Sequence, residues 1–414
     1  MRRLAFVVGI GALGAVMILG TSAAQPPSRT RVFTGALLID GTDRQPIDNA
    51  TIVVRDGRVV EVGTAKAVRV PAGAERMALG GKVVMPGLIN AHGHVNHPRD
   101  LTVYAAYGVT TVFSLGDEPA DVFAARDSQS TASLTRSRVF VAGPVLIPQS
   151  PSAARSLVAK HASLKVDTIK IRVDDNLGTV PKMAPDVYRA VIDEGHKQGL
   201  RTAVHLFYAA DAQAVLEAGA DFIAHSVRDT DIDDELIARL RARNVCVAPT
   251  LMREVSTFIY ETAPPFLADP FFLAHADASW VAELLDPAVQ ASFRTSMNAQ
   301  RYRAGLEVAK RNLKALSVAG VPIAMGTDTG PKGRFQGYFE LMELELMVQA
   351  GLTPRQALLA ATRDAARCHK LDDLGTLEAG KWADFVVLNA DPWTNISNVR
   401  VIDSVYIAGN RITR

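Results

Sequence analysis

Cysteine is scarce in this sequence: two residues, Cys246 and Cys368, among 414. A disulfide-dense scaffold is thereby excluded, and a chain of this length can bury enough surface to fold without any disulfide. Cys246 lies in the apolar run Val245-Cys246-Val247-Ala248 and reads as a buried thiol. Charge excess is also small, a formal +2, part of which sits in the N-terminal arginines. Nothing in that balance points to nucleic acid or to an anionic membrane surface. There is no run of like charges long enough for a disordered tail, no internal repeat and no low-complexity segment. What remains is ordinary globular composition, 48% hydrophobic and 21% charged. The length suits two or three domains, although one barrel domain can absorb about 250 residues.

Residues 1–24 have the make-up of a signal peptide. Arg2 and Arg3 supply a basic start, Leu4 to Gly20 carries no charge, and Thr21-Ser22-Ala23-Ala24 offers small residues for cleavage before Gln25. No charged stop-transfer flank follows, which favours a cleaved leader over a membrane anchor. The expected location is periplasmic or secreted, with no stable membrane span after cleavage. The Arg2-Arg3 pair leaves general and twin-arginine export both open.

Two turn-rich, alternating stretches, 30–86 and 371–414, flank a long middle and predict one small β-sandwich domain built from both ends of the chain. Thr51 to Val60, with Asp56-Gly57 between two β-branched runs, reads as a hairpin. The middle, 87–370, alternates short apolar runs with helical patterns, which predicts an α/β (β/α)8 TIM barrel. Its candidate strands are 88–94, 109–115, 138–143, 167–173, 202–207, 221–226, 245–250 and 321–327. About 70 residues separate the last two, and a lid-like insertion is expected around 252–318, with a helix from Pro287 to Ser317.

The chemistry sits at the strand ends. In Asn90-Ala91-His92-Gly93-His94 the two histidines are two apart on a strand. Such residues share a face, roughly 6.5–7 Å apart, and can close on one metal ion. His205, His225 and Asp328 each end a later apolar run. A barrel gathers those ends around its active site. Any one of these residues has a plain structural explanation, but four such placements together do not. Lys170, in Thr168-Ile169-Lys170-Ile171-Arg172-Val173, alternates into the barrel interior, where an ammonium is costly unless paired or chemically altered. Carboxylation by CO2 would make it an anionic, bidentate carbamate able to bridge two cations, and two neighbouring cations would disfavour the ammonium.

The chain resembles the amidohydrolase superfamily, in its imidazolonepropionase-like, Xaa-Pro dipeptidase-related branch. The resemblance runs from Val84-Met85-Pro86-Gly87-Leu88-Ile89 through His94, then Tyr107-Gly108-Val109-Thr110-Thr111-Val112 and Gly326-Thr327-Asp328. It continues through Gly351-Leu352-Thr353-Pro354 to Gly375-Thr376-Leu377-Glu378-Ala379-Gly380-Lys381-Trp382-Ala383-Asp384-Phe385. It implies that His92, His94 and Asp328 hold the more buried of two divalent ions and that His205 and His225 hold the more exposed one. Carboxylated Lys170 would bridge them. Imidazolonepropionases and many deaminases of the superfamily lack this lysine and use one metal. The segment Phe113-Ser114-Leu115-Gly116-Asp117 departs from the Arg-Asp-Leu-Gly type common in relatives, which leaves substrate class open.

The function so implied is hydrolysis of a C–N amide bond by metal-activated hydroxide, with Asp328 as the catalytic proton carrier. Zinc suits such ligands, with manganese, cobalt and iron as alternatives. The expected small-molecule substrate is a dipeptide or N-acyl amino acid. Arg172, Tyr208, Arg228 and Arg334 are candidates to meet its carboxylate. Rival readings are a deaminase or cyclic-amidine hydrolase, a lactonase or phosphotriesterase, and a non-catalytic relative. Such relatives usually lose metal ligands, whereas all the expected positions are filled here. Oligomeric state is left open.

Overall fold

The computed structural model describes residues 30–413, so the leader lies outside the described residues. The chain opens with β1 (Thr30–Leu38), β2 (Ile47–Arg55), β3 (Arg58–Thr64), β4 (Glu75–Ala78) and β5 (Val83–Pro86). The β2–β3 hairpin pairs Arg55 with Arg58, and Asp56 and Gly57 both take positive φ, 51° and 80°. That is the turn whose twist matches two antiparallel strands, and it explains the Asp-Gly pair.

The barrel strands follow. β6 (Leu88–Gly93), β7 (Val109–Ser114) and β8 (Arg138–Val141) form one parallel run. β9 (Ile169–Arg172), β10 (Thr202–His205), β11 (Phe222–Ile223) and β12 (Cys246–Val247) form a second. One parallel bridge, Leu146 to Ile171, joins the two runs directly, and two more, Val247 to Ile323 and Gly93 to Thr329, join them through the segment 321–329 and close the ring. The segment expected as the eighth strand is therefore extended but makes no continuous ladder. Pro322 has no N–H to give, Met325 donates to Ala360 O, and Thr327 donates to His92 O. The fold is a TIM-type barrel carrying a β-sandwich.

At the C-terminal end, β13 (Phe385–Leu388), β14 (Ile402–Ile407) and β15 (Asn410–Arg411) join the N-terminal strands in the order β15-β14-β13-β5-β1-β2-β3, with β4 on β1. Residues from both chain ends share one apolar cluster, so this sheet wraps its own core. The rings of Phe33, Phe385 and Tyr406 meet there at 4.7 to 4.9 Å. Arg138 on β8 pairs with buried Asp384 at 2.7 Å and ties barrel to sandwich.

Two expectations need correction. The helix expected from Pro287 to Ser317 is two, Pro287–Thr295 and Met297–Val318. Ser296 between them is extended (ψ 114°), and its hydroxyl accepts the Ala299 N–H as a cap. The second helix buries Ala309, Leu313 and Leu316, and its Asn312 side chain donates to Val227 O and Thr230 O, so it packs as a barrel helix rather than a loose lid. The second correction concerns the cysteines. Cys246 and Cys368 form a disulfide, with Cα atoms 5.9 Å apart. They stand 122 residues apart, and only the docking of helix Arg363–Cys368 beside the start of β12 reveals the pair. Replacing both by alanine should lower stability by about 2–5 kcal/mol, as expected for losing a native cross-link over so long a loop. The denaturant midpoint reports this, and an unchanged midpoint would show that the bond contributes nothing. No helix among the described residues is long and apolar enough to cross a membrane.

Candidate metal centre

His92 ends β6 inside the barrel, and its backbone N–H donates to the Asn90 side-chain oxygen at 3.0 Å. Gly93 has no alternative, since a Cβ there would lie 2.7 Å from Asn90 Nδ2 and 2.8 Å from the Tyr104 hydroxyl. Asp328 sits just past the eighth segment with φ 58°, a left-handed conformation that aspartate tolerates better than most residues. Its Oδ1 meets His94 Nε2 at 2.9 Å and His92 Nε2 at 3.4 Å. Ligand-type atoms of His92, His94 and Asp328 all lie within 4.8 Å of one another. Lys170, on the inner face of β9 and buried, puts Nζ 3.0 Å from His92 Nε2.

The remaining imidazoles extend this group in a row. The His225 ring lies 4.6 Å from that of His92, and the His205 ring 4.2 Å from that of His225. Backbone and hydroxyl oxygens hold the Nδ1 of three rings: Ala224 O on His92 (2.7 Å), Gly116 O on His94 (3.2 Å) and Thr250 Oγ1 on His225 (2.8 Å). An Nδ1–H donated outward leaves the Nε2 lone pair for a metal. His225 Nε2 is buried without a hydrogen-bond partner among the described residues, which leaves its lone pair open to a cation. His205 differs, because its Nε2 faces Asp174 Oδ2 at 3.2 Å.

Burial keeps His92, His205 and His225 neutral. Burial drives His92 and His225 well below the usual histidine range, and His205 down to about 4 in spite of Asp174. Burial also pulls Lys170 down to about 8, against the attraction of Asp328, Glu118 and Asp174. Burial would raise the carboxyl of Asp328, but Arg334, His92 and His94 hold it well below the usual carboxylate range. These imidazoles, a carboxylate and a lysine whose ionisation is lowered form a donor set that fits divalent cations.

The four substrate-side candidates occupy different situations. Arg172 is half-buried one pleat beyond Lys170 and makes no side-chain hydrogen bond or ion pair among the described residues. Tyr208 donates to Asp175 Oδ1 at 2.9 Å. Arg228 is fully buried, paired with Glu254 at 3.0 Å, donating to Leu206 O and Ser226 O and lying over the Phe207 ring. Its Nη2 is buried without a hydrogen-bond partner among the described residues. Arg334 is committed to Asp328 Oδ2 at 2.6 Å and serves that carboxylate instead of standing free at the mouth. Sequence reasoning missed Asn90, Asp174 and Thr250, and the buried Glu340 and Glu343 behind the strand ends. Asn90 stands two residues before His92, a signal that could have found it. The other four are brought in by folding.

A parallel barrel with imidazoles, a carboxylate and an interior lysine at its C-terminal strand ends belongs to the class of metal-dependent hydrolases. Residues 83–412 match the amidohydrolase family, and the chain belongs to that family, a group of hydrolases acting on carbon–nitrogen bonds. It is 26% identical over 403 residues to the imidazolonepropionase of Deinococcus radiodurans, covering 89% of this chain and 94% of the relative. Among solved structures, a Bifidobacterium longum protein assigned as a prolidase superposes with a TM-score of 0.76 at 28% identity, covering 93% of this chain and 95% of that one. An Xaa-Pro dipeptidase with bound methionine shares the fold at a TM-score of 0.74 and 20% identity, covering 93% and 100%.

Proposed function

We propose that this chain is an exported, binuclear hydrolase that cleaves the C–N amide bond of a dipeptide or N-acyl amino acid. The observation that carries the reading is Lys170, buried with Nζ 3.0 Å from His92 Nε2. An ammonium there would occupy the lone pair a metal needs. Addition of CO2 to the neutral amine forms an N–C bond, releases a proton and leaves a carbamate whose oxygens suit two cations. His92, His94 and Asp328 would hold one ion and His205 and His225 the other, with His205 turning from Asp174. Two bound divalent ions, zinc by ligand type, would acidify a water and polarise the substrate carbonyl.

Asp328 takes the proton of the attacking water and passes it to the departing amine. Arg334 keeps that carboxylate ionised and fixes its direction. The disulfide supports export, since such bonds persist in oxidising compartments.

Arg172, without a side-chain partner among the described residues, lies above Lys170 and is the group we assign to the substrate carboxylate. Arg172→Met should raise KM for dipeptides and N-acyl amino acids on the order of ten- to a hundredfold, the worth of a charge-assisted hydrogen bond. Neutral amides should be unaffected. Steady-state kinetics of the metal-loaded enzyme on both panels tests this, and cleavage of neutral amides alone would remove the substrate assignment. The relatedness to imidazolonepropionases favours a second reading, hydrolysis of a cyclic amidine. Turnover of imidazolone-type rings without turnover of dipeptides would establish it.

A further inference from the structure

Behind the strand ends lies the helix Tyr338–Gln349, and two of its buried residues are acidic, Glu340 and Glu343. Three residues apart, they share one helix face. Oε1 of Glu340 accepts hydrogen bonds from Asn90 Nδ2 (2.6 Å), Thr327 Oγ1 (2.7 Å) and Thr329 Oγ1 (2.5 Å). Thr327 and Thr329 are the neighbours of Asp328, whose left-handed backbone throws its carboxylate toward His92 and His94. Asn90 in turn accepts the His92 N–H. One carboxylate oxygen therefore fixes both sides of the first group of ligands.

Glu343 does the same for the other group. Its Oε1 accepts from Leu251 N (2.8 Å) and its Oε2 from Met252 N (2.6 Å), the first N–H groups of the short helix Leu251–Val255. The residue before that helix is Thr250, also left-handed (φ 46°), and its hydroxyl meets His225 Nδ1 at 2.8 Å. Both Glu343 oxygens accept N–H donors, and burial pushes its ionisation up to about 8.

We propose that Glu340 and Glu343 are the positioning pair of the metal centre. Glu340 sets Asp328 and His92, and Glu343 sets His225 through Thr250. The inference rests on the metal-centre reading above. It makes an asymmetric forecast from hydrogen-bond chemistry. Oε2 of Glu340 is buried without a hydrogen-bond partner among the described residues, so a glutamine there can keep its oxygen on Asn90, Thr327 and Thr329. At Glu343 both oxygens accept, so a glutamine must set an NH2 against an N–H.

The test measures zinc affinity by chelator competition, and zinc content per folded chain, for wild type, Glu340→Gln, Glu340→Leu, Glu343→Gln, Thr250→Val and Lys170→Ala. Glu340→Gln should bind within about threefold of wild type. Glu340→Leu and Glu343→Gln should each lose roughly 10–100-fold, the usual effect of removing a group that orients a metal ligand. Thr250→Val should reproduce the Glu343→Gln loss. If Glu340→Leu does not fold, Glu343→Gln and Thr250→Val decide. Wild-type affinity in folded Glu343→Gln and Thr250→Val, or equal damage from Gln and Leu at 340, overturns the positioning roles. Two controls separate the levels: no zinc on folded wild type overturns the metal-centre reading and the positioning roles with it, whereas unchanged zinc in Lys170→Ala excludes only the bridging lysine.

Discussion

Lys170→Ala should reduce the metal content of the purified chain from about two ions to one or none, and abolish hydrolysis with it. The size of the effect follows from where the lysine is. It is 3% exposed on the inner face of β9, and its Nζ reaches the Nε2 of a histidine that otherwise points at the ion site. As a carbamate it supplies a negative charge and two oxygens among cations. As alanine it would supply neither, and two cations bound there would lack a bridging anion. Elemental analysis of dialysed wild type and variant, beside circular dichroism to establish folding, gives the answer. Preparation of wild type without CO2 should imitate the variant, and bicarbonate should restore it. Two ions retained by a folded, fully active Lys170→Ala chain would exclude the bridging role.

Asp328→Asn should lower kcat by roughly 10²–10⁴-fold, the contribution of a positioned proton carrier. Asparagine is the informative replacement because it tolerates the left-handed backbone at φ 58°, so the loop is kept. What it lacks is a basic oxygen. It also leaves the Arg334 guanidinium, now 2.6 Å from Oδ2, without its counter-charge in a largely buried position. Metal-saturated steady-state kinetics isolates the proton step from weakened ion binding. A kcat within a few-fold of wild type would assign the proton transfer to another group.

Much of this was legible in linear order, and for a physical reason. A barrel collects strand ends, so metal-competent residues at the close of apolar runs could be placed at one rim without knowing any contact. His92, His94, Lys170, His205, His225 and Asp328 were readable in that way, and the alternation around Lys170 told which side of the sheet it faces. The hairpin at Asp56-Gly57 was equally plain, because its turn demands positive φ at two positions. The continuous helix expected from Pro287 failed because one serine cap can stop a helix whose flanking pattern would have continued it.

The residues of the chain, taken by themselves, determined the family, the barrel and the chemical type of each strand end. Those depend on local periodicity and on spacing, which the covalent order carries. Tertiary structure alone decided which charges are free. It gave Arg334 to Asp328, set Arg228 against Glu254 and left Arg172 without a partner among the described residues, three arginines indistinguishable as letters. It also joined Cys246 to Cys368 and set Glu340 and Glu343 behind the ligands. Pairings between groups far apart in the chain depend on side-chain distances of a few ångströms, and only packing sets those.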